Sequence, residues 1–160
     1  MILKSLGLKN FGVFNGKHNI DLNPRVKYGN KRPIILFGGL NGAGKTTTLT
    51  AVRLALYGRQ SMGRSISKNA YHQQLSEHIH KPRKAIIAPR EATVELGFTY
   101  GKHGSVDDFK IIRSWEDHEK ELVEHLAVHK NGKLLEGLSS EQLQSFLNEL
   151  IPIGVADLFF

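Results

Sequence analysis

The stretch RPIILFGGLNGAGKTTTLTAVRLALYG, residues 32–58, decides the fold of this chain. Residues 33–39 form a short, continuously apolar run closed by glycines, a pattern that predicts a strand buried on both faces. Residues 47–57 place apolar side chains on one wide face and meet no helix breaker before Gly58, so they predict a helix. Between these two runs lies a loop with four glycines, residues 38–44, and its chemistry points to function.

The loop matches a phosphate-binding pattern. The segment GLNGAGKT, residues 39–46, has the form G-x-x-x-x-G-K-[ST], with Gly39, Gly44, Lys45 and Thr46 at the fixed positions. Glycines let the chain bend around an anion so that successive N–H groups point inward, and a helix N-terminus adds about half a unit of positive charge. A lysine beside that charge is unfavourable unless an anion comes to it. The pattern therefore predicts a nucleoside triphosphate site.

Each position of this loop has an expected role. Lys45 is the candidate catalytic residue, as a point charge on the β- and γ-phosphates of ATP, and the Thr46 hydroxyl is the candidate ligand of Mg²⁺. The alternative for any glycine-rich loop is a tight connection without a ligand, but here the fixed positions and both flanking elements agree. The residues expected to bind the nucleotide are Gly39, Asn41, Gly42, Ala43, Gly44, Lys45, Thr46 and Thr47.

Composition excludes several classes of protein. The 160 residues include no cysteine, so disulfides and thiolate metal sites are excluded. No apolar run approaches the roughly 20 residues that a membrane span needs. Residues 1–12 alternate apolar and polar side chains, which does not match a signal peptide. We expect one cytoplasmic domain with no membrane partner.

Positive charge is concentrated in one segment. The net charge is +7, and residues 59–90 hold seven Lys and Arg against one acid, Glu77, which leaves +6 in that segment. Such a segment is typical of a surface that follows a nucleic-acid backbone, and a solvated surface insertion is the alternative. We expect a basic insertion at 59–90 that leaves the core and holds a helix at 69–80. Its candidate DNA-binding residues are Arg59, Arg64, Lys81, Arg83 and Lys84.

Four aromatic or imidazole side chains need an interpretation. His78 and His80 are two apart, and His72 and His78 are six apart, so neither pair shares a helix face. Exposed histidines in a polar helix are therefore favoured over a metal site. Trp115 could stack on a base, but an aromatic residue in an alternating strand more often belongs to the core.

The remainder of the chain predicts an antiparallel sheet and one further helix. Ser139 precedes apolar residues at helical spacing and has Gln142 three positions later, which predicts a capped helix at 139–150. Asn131-Gly132 is a hairpin turn signal, and residues 153–160 are an apolar run typical of a strand. The runs that alternate apolar and polar residues, with Phe11 less regular, are 2–11, 18–22, 92–100, 109–115 and 126–135.

The layout resembles a known superfamily. LKNFG in the first strand, GLNGAGKTT in the loop and LALYG at the end of the helix are similar to the ATPase heads of the structural-maintenance-of-chromosomes (SMC) and DNA-repair ABC superfamily. MILKSLGLKNFGVFNGKH and LIPIGVADLFF further resemble the DndD family, the ATPases of bacterial DNA phosphorothioation. The resemblance implies an α/β P-loop NTPase fold, the N-terminal lobe of an ABC/SMC-type head with an antiparallel sheet packed against a core sheet.

The resemblance also implies how such a lobe works. In these heads a coiled coil and a C-terminal lobe follow, and ATP with Mg²⁺ joins two heads. Residues 1–160 are then an N-terminal lobe cut before the glutamine-bearing loop, and no four apolar residues followed by Asp-Glu occur to complete catalysis. Hydrolysis is therefore expected only in the complete protein. The implied partners are its own C-terminal lobe, a second head, DNA and other DNA sulfur-modification proteins.

Several alternatives and departures stay open. Gly12 stands where many repair ATPases have an arginine that reaches the nucleotide. GLSSEQ, residues 137–142, is similar to the ABC signature but lacks its glycines, and a capping box is favoured. Alternative functions are an SMC-like DNA-repair or anti-phage ATPase, or a nucleotide-gated scaffold whose assembly matters more than turnover. An ABC transporter subunit is disfavoured because such domains usually carry an aromatic adenine platform before the loop.

Overall fold

A six-stranded antiparallel sheet is the largest element of the fold. The structure is a computed structural model that describes residues 1–32, 34–63, 65–81, 88–102, 104–118 and 121–155. Its strands are β1 (Ile2–Phe11), β2 (Phe14–Asp21), β3 (Arg25–Lys27), β4 (Asn30–Arg32), β5 (Glu91–Lys102), β6 (Ser105–Asp117), β7 (Leu122–Lys130) and β8 (Lys133–Leu134). The sheet has the order β2-β1-β5-β6-β7-β8, and β3 and β4 form a separate ribbon.

The pairing follows the alternation of the sequence. In β1 the side chains of Leu6, Leu8 and Phe11 are buried, while the residues between them are more exposed. Asn131 and Gly132 both have positive φ, 50° and 78°, which is the twist that a two-residue hairpin turn needs between β7 and β8. The predicted antiparallel sheet is therefore confirmed, although β2 begins at Phe14, earlier than its pattern indicated.

Three helices accompany the sheet in the described ranges. They are α1 (Lys45–Tyr57), α2 (Lys68–His78) and α3 (Ser140–Leu150), with a 3-10 turn at Gly58–Met62 after α1. The predicted capping box is confirmed, because the Ser139 hydroxyl accepts from Gln142 N and the Gln142 side chain accepts from Ser139 N. GLSSEQ is thus the start of α3. Helix α1 begins two residues before the predicted start.

One apolar core joins the sheet to all three helices. Trp115, predicted as a core residue, is fully buried. Tyr71, Leu75 and Ile79 are also buried, at 2%, 0% and 3% exposure, and they belong to the same cluster. The prediction that residues 59–90 leave the core is therefore wrong for this part of the segment. The four-residue spacing of these three side chains gives α2 an apolar stripe that packs inward.

The predicted buried strand at 33–39 is also wrong. Pro33 lies outside the described residues, and residues 34–40 have no regular secondary structure. The side chains of Ile34 and Leu36 are 79% and 89% exposed. An apolar run becomes a buried strand only when other strands flank it, and none does so in the described part of this chain. The predicted strand at 153–160 is not formed at Ile153–Val155, which is a turn, and its remaining residues lie outside the described ranges.

A buried arginine ties the end of α1 to the sheet. Arg113 on β6 is 4% exposed and forms an ion pair with Glu124 on β7. Its Nη2 donates to Gln144 Oε1 of α3 at 2.6 Å and to Ala55 O of α1 at 3.4 Å. Gln144 Nε2 in turn donates to Leu56 O at 3.0 Å. Carbonyls in the last turn of α1, which lack intrahelical donors, are thereby satisfied, and the direction of α1 is fixed.

Candidate nucleotide-binding site

The glycine-rich loop reaches helix α1 through a backbone that only glycine adopts easily. Gly42 and Gly44 have φ of 83° and 91°, in the left-handed region. Gly44 is also crowded, because a Cβ there would lie 2.8 Å from Phe14 Cζ and 2.9 Å from Val13 Cγ2. The β1–β2 turn therefore forms a wall beside the point where α1 begins.

The N-terminus of α1 is left open. Its N-cap is Gly44, no side chain caps it, and no acidic residue lies in its first turn. The first hydrogen bond within the helix runs from Thr48 N to Gly44 O at 2.8 Å, and the Thr48 hydroxyl donates to the same carbonyl at 2.9 Å. The earlier N–H groups have no acceptor within the helix, so the positive end of the helix is available to an anion.

The ammonium group of Lys45 lies over the loop. Its Nζ donates to Gly39 O and to Leu40 O, each at 2.8 Å. Two loop carbonyls therefore serve as acceptors for this lysine beside the positive end of the helix. These are neutral acceptors, and a phosphate oxygen would make a shorter, charge-assisted bond with the same group.

The other predicted loop residues lie in the same place. Ala43 N donates to Leu40 O at 3.2 Å, which closes the turn that contains Asn41. Thr46 is exposed on the first turn of α1, and Thr47 is half-buried against the β1–β2 turn. All eight predicted residues thus border one loop and one helix start. Their chemical roles remain predictions.

The sequence did not predict the close approach of Gly12 to helix α1. Its φ is 56°, and an added Cβ would lie 2.4 Å from Thr47 Cγ2. A larger side chain at this position would have to displace the Thr47 side chain. The signal in the sequence was Asn10-Phe11-Gly12 itself, because Asn and Gly tolerate positive φ, and Asn10 also has φ of 50°.

The three histidines are all partly buried, not exposed as predicted. The ring of His78 stacks on Phe11 with centroids 5.4 Å apart, and burial lowers the pKa of His78 while Glu77 opposes the shift. His80 Nδ1 forms a hydrogen bond to Gly12 O at 2.7 Å. Both contacts follow from Ile79, which is buried between them and bridges to Phe11. No group of His, Asp or Glu in the described ranges could hold a metal ion.

The predicted DNA-binding residues are described only in part. Arg59 is exposed at the start of the 3-10 turn, and Lys81 is exposed after α2. Arg64, Arg83 and Lys84 lie outside the described residues. DNA binding by this set remains a prediction.

Comparison with known proteins identifies the family. A family model described as an AAA domain matches residues 5–157. The chain belongs to this AAA domain family. The predicted α/β P-loop fold with its antiparallel sheet is confirmed, whereas the core sheet on which that sheet was expected to pack is not formed among the described residues.

The AAA domain also has structural neighbours. Thirty solved chains match its structure, among them the SMC head domain from Thermotoga maritima, at 18% identity and a TM-score of 0.44. That match covers 91% of this chain and 42% of the other, so the AAA domain spans less than half of that neighbour. No curated protein matches the sequence. Within the described part of the AAA domain, no helix is long and apolar enough to cross a bilayer.

Proposed function

We propose that this chain binds ATP with Mg²⁺ at residues 39–47 and acts as the N-terminal lobe of an SMC-like ATPase head. The observation that carries the proposal is the convergence of the uncapped start of α1 and the Lys45 ammonium group on one glycine-rich loop. A polyphosphate is recognised by the positive end of a helix, by successive N–H groups of a loop and by a lysine ammonium group. The residues present therefore fit the nucleotide.

The loop residues divide the work of binding. The loop at residues 42–44 would hold the phosphates, and Lys45, which now donates to Gly39 O and Leu40 O, would supply positive charge to them. The Thr46 hydroxyl would hold Mg²⁺, and Thr47 lies next to it on the helix. When bound, ATP would supply the phosphoanhydride bond that is cleaved, and Mg²⁺ would partly neutralise the charge of its phosphate groups. Lys45 is the catalytic residue of this proposal because its ammonium group would contact the transferred phosphoryl group.

A second lobe completes the proposed head. A groove of about 550 Å³ lies beside the exposed apolar segment, and its walls include Leu22, Ile35, Phe37, Leu49 and Ile151. Ile35 and Phe37 are 36% and 37% exposed on this groove, which suits strands from a C-terminal lobe that pair with residues 34–37. In this proposal residues 1–160 are the N-terminal lobe, 59–90 are its basic insertion, and hydrolysis needs the other lobe and a second head.

The finer assignment is to the DndD family. The sequence segments at 1–18 and 150–160 support this assignment. The head would dimerise on ATP and remodel DNA or partner proteins during DNA phosphorothioation in the cytoplasm. Closure of two heads is a population shift, and ATP drives it only through its preference for the closed state. DNA would meet the basic insertion through Arg59, Arg64, Lys81, Arg83 and Lys84. The other sulfur-modification proteins are its further partners.

Calorimetry with ATP and Mg²⁺ tests the nucleotide assignment. The wild-type chain should bind, and Lys45→Ala should weaken binding by about tenfold to a hundredfold, since a charged hydrogen-bonding group is lost. Lys133→Ala is the matched control, because that lysine is exposed on β8, away from the loop. Equal affinity of wild type and Lys45→Ala, or no binding by a folded chain, contradicts the proposal.

Turnover tests the proposed division between lobes. The 160-residue chain alone should hydrolyse ATP no faster than a Lys45→Ala sample prepared in parallel. Adding the C-terminal lobe as a separate polypeptide should raise the rate in the wild type only. A steady-state rate in the isolated chain that Lys45→Ala abolishes would show that this lobe needs no partner.

A further inference from the structure

Gly12 lies between the basic insertion and the nucleotide loop. On one side, Gly12 N donates to His78 O at 2.6 Å and Gly12 O accepts from His80 Nδ1 at 2.7 Å. On the other side, its α carbon faces Thr47 so closely that an added Cβ would reach Thr47 Cγ2 at 2.4 Å. Gly12 thus contacts residues 78–80 on one side and faces the first turn of α1 on the other.

The turn that Gly12 begins is part of the wall of the loop. Its next two residues, Val13 and Phe14, come within 3 Å of the position that a Cβ at Gly44 would occupy. Gly44 is the N-cap of the helix whose open N–H groups form the proposed phosphate site. A movement of this turn would therefore change the space and the dielectric environment in which a phosphate is held.

Among the described residues, His80 supplies the one side-chain hydrogen bond in this connection. The other links are the main-chain contacts of Gly12 N to His78 O, of His80 N to Asn10 O at 2.8 Å and of the bridge between Phe11 and Ile79, together with the stacking of the His78 ring on Phe11. Substituting His80 therefore removes the bond that orients the Gly12 carbonyl and leaves the rest. Because Nδ1 faces a carbonyl oxygen, the proton of the neutral ring is on Nδ1.

We propose that His80 is a positioning residue for nucleotide binding: through Gly12 it holds the β1–β2 turn against Gly44 and Thr47. The inference rests on the proposed function, that residues 39–47 bind ATP. It goes beyond that function by making a residue of the basic insertion part of the nucleotide site. A ligand that binds the insertion and shifts residues 78–80 would then change the affinity for ATP. ATP would change the affinity for that ligand by the same factor.

The test compares two replacements of His80. His80→Ala removes the bond to Gly12 O, whereas His80→Asn keeps a side-chain N–H at about the place of Nδ1. We expect His80→Ala to weaken binding of ATP with Mg²⁺ by about threefold to tenfold in calorimetry, the effect of one hydrogen bond. His80→Asn should restore the affinity to within about twofold, which a merely structural role would not predict. His125→Ala, at an exposed histidine of β7, should leave the affinity unchanged.

The probe also includes inorganic tripolyphosphate, because the turn faces the phosphate end of the site. Its affinity should fall in His80→Ala by the same factor as that of ATP. Lys45→Ala in the same series separates the two proposals. If Lys45→Ala loses ATP binding and His80→Ala binds ATP as tightly as wild type, the proposed role of His80 is overturned and the nucleotide assignment stands. Equal weakening by His80→Ala and His80→Asn also overturns it. Absence of ATP binding in the folded wild type overturns both.

Discussion

The guanidinium group of Arg113 lies directly against the α carbon of Gly58. A Cβ added at Gly58 would come 2.6 Å from Arg113 Nη1 and 3.0 Å from Arg113 Cζ. The glycine that ends α1 is therefore needed for more than chain reversal, because it leaves room for a buried cation. That cation connects the end of the loop helix to β7 and α3.

We expect Gly58→Ala to destabilise the fold strongly. The φ of 50° and ψ of −129° suit only glycine, and the new methyl group would push Arg113 away from Glu124. The two effects together should lower the free energy of unfolding by about 2–4 kcal/mol, measured in urea. Gly101→Ala is the control, because its Cβ would meet only ordinary contacts at 3.7 Å or more. Similar losses in both variants would contradict this account.

Removing Arg113 alone should lower the free energy of unfolding more than removing both Arg113 and Glu124. In Arg113→Met the carboxylate of Glu124, whose side chain is 23% exposed, loses its partner, and we expect a loss of about 2–4 kcal/mol. Arg113→Met combined with Glu124→Met should recover part of this loss, since no charge is then left unpaired. A double variant less stable than Arg113→Met in urea unfolding would contradict this expectation.

The crowding of Gly12 against Thr47 predicts a difference between two glycines. Gly12 and Gly16 have φ of 56° and 72°, so alanine is strained at both, but of the two only Gly12 has a described neighbour within 4 Å. Gly12→Ala should therefore cost about 1–3 kcal/mol more stability than Gly16→Ala in urea unfolding. It should also weaken ATP binding, whereas Gly16→Ala should not. Equal effects would mean that Thr47 moves aside without cost.

The stacked histidine predicts a pH dependence of stability. Burial against Phe11 lowers the pKa of His78 below its usual 6.5, so the unfolded chain takes up a proton more readily than the folded chain. Stability due to the neutral ring is complete above pH 6.5 and is lost as the pH falls through that value toward the folded-state pKa.

His78→Phe keeps a ring on Phe11 and removes the titration. The difference in unfolding free energy between pH 7.5 and pH 5 should be smaller in this variant than in wild type, when both are measured in urea. His125→Phe, at an exposed histidine, should behave as wild type. An unchanged difference in His78→Phe would exclude His78 as the source.

The sequence predicted those elements whose stability is local. Alternation, the Asn131-Gly132 turn and the Ser139 capping box depend on near neighbours, and each is found where expected. The sequence likewise predicted the loop and the helix that follows it, because glycines and a lysine at this fixed spacing before an apolar helix are typical of a phosphate-binding loop.

Elements that depend on distant neighbours were misjudged. Residues 34–40 have the composition of a buried strand, but burial requires partners that no local pattern reveals. The inward face of α2 was hidden because Tyr71 and Leu75 are separated by polar residues and histidine. The contact between Gly12 and Thr47 joins two segments far apart in sequence, and composition gives no sign of it.

The exposed strip at 34–40 has a consequence for the biology of the chain. Extended apolar segments of this length are what holding chaperones and quality-control proteases recognise in newly made proteins. Leu36 and Leu40, at 89% and 86% exposure, are accessible to both while the rest of the domain is folded. In any form of the chain that leaves residues 34–40 uncovered, we expect chaperone binding or degradation to lower its abundance.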